Sequence, residues 1–251
     1  METSNLYEIL RCPDCNGKIN SQMYCQNCVR NFRSEDNILK CLPSKDLPLL
    51  SVYSDINYKK YNDILVESHN YYYNNPNPII RWVQHSLYTT IIKHTQNKDG
   101  LILETGSGPG KLFEFKNNFD LKRYVVLDID HSSLKSIQNK SQLKAIIHGT
   151  AYKLPFNNQI FDTVISCAQL EHLCYLDNAL EEIKRVLKPS GQFIASVPTE
   201  GGFLWSYGRS LTSARYFSKK LDIDYIKANR IDHFNTIHQI DRALKRHFEI
   251  K

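Results

Sequence analysis

With 251 residues, 41% of them hydrophobic, and a formal net charge of +6, the chain is long enough for one main core plus a small appended module. No signal peptide and no run of roughly eighteen apolar residues occur, which excludes the secreted and membrane-spanning classes and predicts a cytoplasmic protein. The positive charge falls mainly in about the last forty residues, interspersed with acids, and this favours a solvated helical face over a nucleic-acid surface.

The first predicted element is a zinc-ribbon module over residues 1–42. It contains two Cys-x-x-Cys pairs separated by nine residues, formed by Cys12, Cys15, Cys25 and Cys28. Each pair has the spacing of a tight turn, and two such turns complete a tetrahedral zinc site with no open position. The metal would supply folding free energy to a segment too short to bury its own core. Two disulfides, free thiols or a redox role are weaker alternatives, because a cytoplasmic protein is kept reduced and no thioredoxin-like pattern surrounds either pair.

A linker and lid segment is predicted over residues 43–78, beginning with the proline-bearing stretch LPSKDLPLLS. The main domain, residues 79–251, is then predicted to open with a helix of about four turns. Its apolar residues recur at helical spacing, at Ile80, Val83, Leu87 and Ile91.

Strand-like and helix-like segments alternate after this helix. The clearest helix is 176–188, whose end is marked by Pro189 and Gly191, and the apolar strands are predicted at 101–105, 124–129, 144–149, 161–166 and 192–197. Apolar strands separated by helices predict a parallel α/β sheet covered on both faces. A ligand should bind at the carboxyl ends of the strands, beside the first strand.

A glycine-rich loop follows that first strand. Gly106, Gly108 and Gly110 are spaced differently from a dinucleotide fingerprint, because Lys111 stands where its last glycine would fall. A phosphate-binding P-loop is also disfavoured, since Leu112 and not Ser or Thr follows Lys111. The pattern E-x-G-x-G-x-G indicates close approach of the backbone to a ligand that carries a cationic amine.

The stretch LILETGSGPGKL resembles the first motif of the class I S-adenosylmethionine-dependent methyltransferases (type 11-like), and later segments match further motifs of that family in order. These are VVLDIDHSSL, HGTAYKLPFNNQIFDTVIS, AQLEHL and EEIKRVLKPSGQFIASVP. The resemblance implies a Rossmann-like, doubly wound, mostly parallel sheet that binds S-adenosylmethionine, with Asp128 on the two ribose hydroxyls. The implied cofactor residues are Glu104, Gly106, Ser107, Gly108, Gly110, Asp128, Ile129, Thr150, Ala151 and Gln169.

The chain also departs from the family pattern. Thr150 stands where an Asp often accepts from the adenine amino group, and Ala168 replaces the first acid of a metal-dependent Glu-x-x-Glu-His subgroup, so we expect no catalytic metal. The terminal stretch HFEIK, 247–251, is predicted to be a sixth strand, after which no residues remain for the family's closing strand.

The acceptor side has several candidate residues. His172, after the fourth strand, and His233 are candidate general bases, because imidazole titrates near neutrality. Glu200, Trp205 and Asn235 are candidate substrate contacts. The favoured acceptor is a hydroxyl of a small molecule or glycan, as in a bacterial set of ribbon-bearing methyltransferases that the chain resembles. The alternatives are a ribosomal RNA guanine methyltransferase, disfavoured by the charge balance of the cysteine region, and a non-catalytic scaffold that binds the cofactor.

Overall fold

The computed structural model describes residues 6–45, 75, 77–95, 100–115, 120–140, 142–197 and 233–250. The strands are β1 (Ser34–Glu35), β2 (Ile38–Lys40), β3 (Ile102–Thr105), β4 (Tyr124–Asp128), β5 (Ala145–His148), β6 (Phe161–Cys167) and β7 (Leu187–Ser196). The helices are α1 (Pro78–Thr95), α2 (His131–Lys135), α3 (Leu176–Val186) and α4 (Ile237–His247), with 3-10 turns at Lys111–Phe115, Leu121–Arg123 and Leu170–His172.

All seven strands form one sheet in the order β1-β2-β5-β4-β3-β6-β7. Every pairing is parallel except that of β1 with β2. The central strands β3 and β4 are buried along their whole length, as expected for strands covered on both faces. The predicted α/β fold is therefore confirmed. Strand β7 begins at Leu187, earlier than predicted, because the chain becomes extended directly after α3 at Lys188 and Pro189.

The cysteine module, which we define as residues 6–45, extends this sheet. Strand β2 pairs in parallel with β5, with Ile38 opposite Ile146 and Lys40 opposite His148. Leu10 forms an isolated antiparallel bridge with Phe156, and both side chains are fully buried in a core shared with β3, β4 and α3. The module is thus part of the sheet and of its core, a connection that the sequence did not predict.

Helix α1 is confirmed, but its buried face is rotated from the predicted one. Val83 is 46% exposed. The buried positions of this helix among the described residues are Gln84, Tyr88, Ile91, Ile92 and Thr95. The apolar spacing therefore located the helix and part of its contact face, since Ile91 is buried and Leu87 packs against the same core, but Gln84 and Tyr88 complete that face in place of Val83.

Helix α4 replaces the predicted carboxyl-terminal strand. Thr236 and Gln239 form a capping box at its start, and the helix packs through Ile240 and Ala243. It ends at His247, after which the ring of Phe248 lies 5.2 Å from that of Phe193 in β7. The prediction of a strand at 247–251 is wrong over the described residues, because His247 ends the helix, residues 248–250 form no strand, and this apolar end docks a helix against the sheet. The prediction of a solvated basic face is consistent with the exposed lysine and arginine of its last turn.

Within the stretches that the structure describes, no helix combines the length and apolar character needed to cross a bilayer.

Candidate functional site

The glycine loop leaves β3 with three residues in the left-handed region. Gly106, Gly108 and Gly110 have φ angles of +68°, +50° and +73°, which side-chain-bearing residues rarely adopt. A Cβ atom on Gly106 would meet Gln169, and one on Gly110 would meet Ile137, both at 2.5 Å. A Cβ on Gly108 would meet nothing within 4 Å. The first and third glycines therefore allow packing, whereas Gly108 faces open space where a ligand can approach.

Asp128, at the carboxyl end of β4, lies beside this space. Its Oδ2 accepts from Gly108 N at 2.7 Å, and its Oδ1 accepts from Asp130 N at 2.7 Å. Burial raises the pKa of the Asp128 carboxyl, and these two N–H groups offset part of that rise. Each carboxylate oxygen keeps a second lone pair, so the group can also accept from two ligand hydroxyls.

Two more polar groups lie at the start of the loop. Glu104 is buried and accepts a hydrogen bond from the Tyr124 hydroxyl at 2.8 Å. The Ser107 hydroxyl is buried and has no hydrogen-bond partner within the described residues. A buried hydroxyl without a partner costs free energy unless a ligand or water satisfies it. The lack of a partner for this hydroxyl among the described residues favours a bound polar ligand at the loop.

The loop after β5 forms the side on which the adenine was predicted. Ile129 is 44% exposed, while Thr150 and Ala151 are buried. The Thr150 hydroxyl accepts from Tyr152 N at 3.3 Å, so it stabilises its own turn and keeps its hydrogen and a second lone pair for a ligand. Gly149 N donates to Asp128 O at 3.0 Å, which ties this loop to the end of β4.

Gln169 closes the opposite side of the loop. Its amide lies 2.9 Å from the Ser166 hydroxyl and 3.3 Å from the Thr105 hydroxyl. The same side chain occupies the space that a Cβ on Gly106 would need. In this position Gln169 supports the glycine loop, and its contact with the cofactor stays a prediction.

The two candidate bases lie together although about sixty residues separate them in sequence. The rings of His172 and His233 are edge to face, with centroids 4.7 Å apart. His172 belongs to the 3-10 turn that follows β6, at the ligand-bearing edge of the sheet. Glu171 Oε1 lies 3.9 Å from His172 Nε2. Either imidazole can serve as a proton acceptor at this edge of the sheet.

Asn235 has a positioning role that the sequence did not suggest. Its Nδ2 donates to Leu170 O at 3.0 Å and to Leu173 O at 2.6 Å, and its backbone N donates to Glu171 O at 3.2 Å. Both amide hydrogens are thereby used on backbone carbonyls, so a contact of Asn235 with a substrate would have to use its Oδ1 and stays a prediction. Asn235 fixes the turn that carries His172. The predicted contacts Glu200 and Trp205 lie outside the described residues.

The four predicted cysteine ligands form one cluster. Their sulfur atoms all lie within 4.8 Å of one another, with Cys12 and Cys28 at 3.5 Å and Cys15 and Cys25 at 3.5 Å. A tetrahedral zinc ion with Zn–S bonds of about 2.3 Å needs sulfur atoms about 3.8 Å apart. The geometry therefore fits a zinc ion held by four thiolates, with no position left for a reactant.

The two turns of the cluster have matching hydrogen bonds. In the first, Asn16 N donates to Cys12 O and Cys12 N donates to Gly17 O; in the second, Val29 and Arg30 make the corresponding bonds with Cys25. Burial opposes ionisation of Cys25, but the N–H groups of Cys28 and Asn27 and the thiols of Cys15 and Cys28 outweigh it and lower the pKa of this thiol to about 7, whereas burial raises the pKa of the Cys12 thiol to about 12. Backbone donors of this kind stabilise the thiolate form that binds a metal.

Sequence reasoning missed one group near the site, formed by Lys40, His131 and His148. Lys40 Nζ lies 2.6 Å from His131 Nε2, and the rings of the two histidines have centroids 5.2 Å apart. His148 Nε2 lies 3.0 Å from Ile129 O. No sequence pattern could locate this group, since it depends on the pairing of β2 with β5 across about a hundred residues of chain.

Comparison with known proteins agrees with this geometry. Residues 103–195 match the family described as a methyltransferase domain. Over these residues the chain carries a methyltransferase domain. This methyltransferase domain includes the glycine loop, Asp128 and the turn of His172.

The matches to curated relatives cover only part of this chain and part of each relative. An uncharacterized protein of Methanocaldococcus jannaschii is 34% identical over 148 residues, which cover 59% of this chain and 54% of that protein. The ubiquinone/menaquinone biosynthesis C-methyltransferase UbiE of Bartonella bacilliformis is 31% identical over 101 residues, covering 37% of this chain and 39% of that protein. The chain thus spans about half or less of the length of these relatives.

A solved structure shows the same fold. Phosphoethanolamine N-methyltransferase 2 of Haemonchus contortus, in complex with S-adenosyl-L-methionine, superposes with a TM-score of 0.50 at 15% identity, covering 83% of this chain and 46% of that one. At this identity the likeness concerns the fold alone.

Proposed function

We propose that the chain transfers a methyl group from S-adenosylmethionine to a hydroxyl of a small molecule or glycan. The observation that carries the proposal is the open space at Gly108, beside the Asp128 carboxylate and next to a Ser107 hydroxyl that has no partner among the described residues. A sugar diol and a polar amino acid tail would satisfy these groups. A pyrophosphate would place its negative charge against Asp128.

The bound cofactor supplies a methyl group on a positively charged sulfur, which an acceptor lone pair attacks in line. Asp128 would accept from both ribose hydroxyls, and Gly108 would let the backbone approach the nucleoside. The buried Glu104 would attract the ammonium group of the cofactor. The main contribution of the protein is to hold acceptor and methyl carbon in line.

A hydroxyl acceptor needs a base, and the His172–His233 pair supports this part of the proposal. A neutral imidazole would take the hydroxyl proton as the oxygen bonds to the methyl carbon and the methyl–sulfur bond breaks, which leaves S-adenosylhomocysteine as the second product. Both rings lie near the turn after β6, and Asn235 fixes that turn through its backbone carbonyls.

The charges of the cysteine module favour a small acceptor over RNA. Arg30 pairs with Asp14 at 2.8 Å, and Lys40 pairs with Glu35 at 3.2 Å. RNA binding relies on basic groups that are available to phosphates, whereas these two are already paired with acids.

Labelling with methyl-labelled S-adenosylmethionine and cell extract tests the proposal. The full chain should label a small polar or glycan fraction, with the label unaffected by ribonuclease, and the Asp128→Ala variant should label nothing. Label that disappears after ribonuclease would indicate an RNA acceptor. Cofactor binding without any product would indicate a scaffold and contradict the proposed activity.

A further inference from the structure

We propose that the cysteine module holds the adenosine side of the cofactor site in place, and that Lys40 is a positioning residue for that side. The inference rests on the proposed function, because it concerns the site where S-adenosylmethionine would bind. It gives the four-cysteine site a role beyond folding its own segment.

The first attachment is the pairing of β2 with β5. Lys40 is opposite His148 in the parallel register, and the next residue, Cys41, donates its N–H to His148 O at 2.8 Å. His148 is the last residue of β5, immediately before the loop that carries Thr150 and Ala151. The position of β2 therefore determines where this loop begins.

Lys40 continues the connection through side chains. Its ammonium donates to His131 Nε2 at 2.6 Å, and His131 is the first residue of α2. The preceding residue, Asp130, donates its N–H to Asp128 Oδ1 at 2.7 Å. Lys40 thus supports the end of β4 from the side opposite the glycine loop. Its contact is with His131, the residue that follows Asp130.

His148 provides a parallel support for Ile129. Its Nε2 lies 3.0 Å from Ile129 O, and its ring packs beside that of His131. Ile129, 44% exposed, is the predicted contact of the nucleoside after Asp128. Lys40, His131 and His148 together hold the β4–α2 connection from one side.

The second attachment lies at the far end of the same loop. Arg11 N donates to Pro155 O at 3.0 Å, and Asn157 N donates to Ile9 O at 2.9 Å. These bonds flank the Leu10–Phe156 bridge, which is fully buried. The loop from 149 to 157 is therefore fixed by the cysteine module at both ends.

Both attachments lie close in sequence to the cysteine ligands. Arg11 directly precedes Cys12. Arg30, which follows the second turn, donates to Leu42 O at 2.7 Å and to Asp14 at 2.8 Å, so it joins both turns to the end of the β2 segment. A metal ion that fixes the two turns consequently fixes the distance between the two attachments.

Calorimetric titration of S-adenosylmethionine into Lys40→Met tests the inference, with Lys18→Met as the matched control because Lys18 is an exposed lysine of the same module. Lys40→Met should weaken cofactor affinity about threefold to tenfold, the range of one hydrogen bond, while zinc content stays at the wild-type level and the melting temperature falls only by the loss of one part-buried hydrogen bond and one exposed ion pair. Lys18→Met should bind as the wild type does. Equal affinities of Lys40→Met and Lys18→Met would overturn the inference.

Removal of the metal from the full chain with a chelator is the second measurement. The affinity for S-adenosylmethionine should fall by more than in Lys40→Met, because both attachments loosen. Unchanged affinity of a metal-free protein that circular dichroism shows to be folded would also overturn the inference; if the metal-free chain unfolds, Lys40→Met decides. Wild-type protein that binds no cofactor would refute the proposed function itself. If the wild type binds the cofactor and Lys40→Met binds it equally well, only this inference fails.

Discussion

Asp128 is a predicted ligand contact and also accepts hydrogen bonds from the backbone around the ligand space. Its two backbone bonds fix Gly108 and Asp130, so replacing the side chain affects more than the predicted ribose contacts. Asp128→Ala should lower cofactor affinity more than about a hundredfold, since hydrogen bonds to a charged group contribute about 1.5–3 kcal/mol each. It should also lower the free energy of unfolding by about 1–3 kcal/mol, because two N–H groups lose their acceptor.

Calorimetry and urea unfolding measure these two effects. Asp120→Ala is the control, since Asp120 is an exposed acid that caps the turn before β4. It should leave cofactor affinity unchanged. Wild-type affinity in Asp128→Ala would show that the second-strand acid is assigned wrongly.

The paired histidines lead to a kinetic prediction. If either ring takes the acceptor proton, His172→Ala and His233→Ala should each lower kcat by about a hundredfold or more, with cofactor affinity within twofold of wild type. His238→Ala, on the exposed side of α4, is the control. Rates equal to that control would mean that the pair only packs the turn.

The glycine loop predicts different outcomes for two neighbouring substitutions. Both place a side chain at positive φ, at a cost of about 1–2 kcal/mol. Gly108→Ala adds a methyl group only to open space, so it should lose cofactor affinity with little further loss of stability. Gly110→Ala also pushes against Ile137 and Phe113, so it should lose about 1–3 kcal/mol more. Thermal unfolding and calorimetry of both variants would check this, and equal melting temperatures would contradict it.

The turn after β6 depends on a side chain from the start of the last helix. Asn235→Ala removes two hydrogen bonds to Leu170 O and Leu173 O, so we expect a loss of about 1–3 kcal/mol in stability together with lower turnover. Thr236→Ala removes only the cap of α4, costs about 1 kcal/mol and should keep turnover. Equal turnover of the two variants would show that Asn235 does not position the site.

The sequence predicted those elements whose signal is local. The apolar runs located β3 to β7, and the glycine spacing located the open loop. It missed the face of α1 on which Gln84 is buried, because burial depends on a partner surface and not on spacing alone. It assigned a strand to 247–251, whereas Phe248 contacts Phe193 at the end of a helix.

The same limit applies to the site. Asp128 and the four cysteines belong to short sequence motifs. The structure places Asp128 beside the glycine loop and gathers the four cysteines in one cluster. The approach of His233 to His172, and that of Lys40 to His131, joins residues about sixty and ninety positions apart. Contacts of such separation follow from the topology of the sheet and have no signature in a single sequence.

At the scale of the whole molecule, the cysteine module and the methyltransferase domain should unfold together. They share one sheet and one core, which includes Leu10, Phe32, Val125 and Phe156. Differential scanning calorimetry should therefore give a single transition, and metal removal should shift that transition to lower temperature as a unit. Two separate transitions, with only the first sensitive to a chelator, would show that the module is energetically independent.

The position of β2 between β1 and β5 also has a consequence for biosynthesis. The cysteines and β2 leave the ribosome more than a hundred residues before β5 does, so a metal-loaded ribbon can be complete while its partner strand is still being made. Until then its backbone edge is exposed and able to pair with other nascent chains. Cells short of the metal during translation should consequently accumulate aggregated protein, even if the metal is restored after synthesis ends.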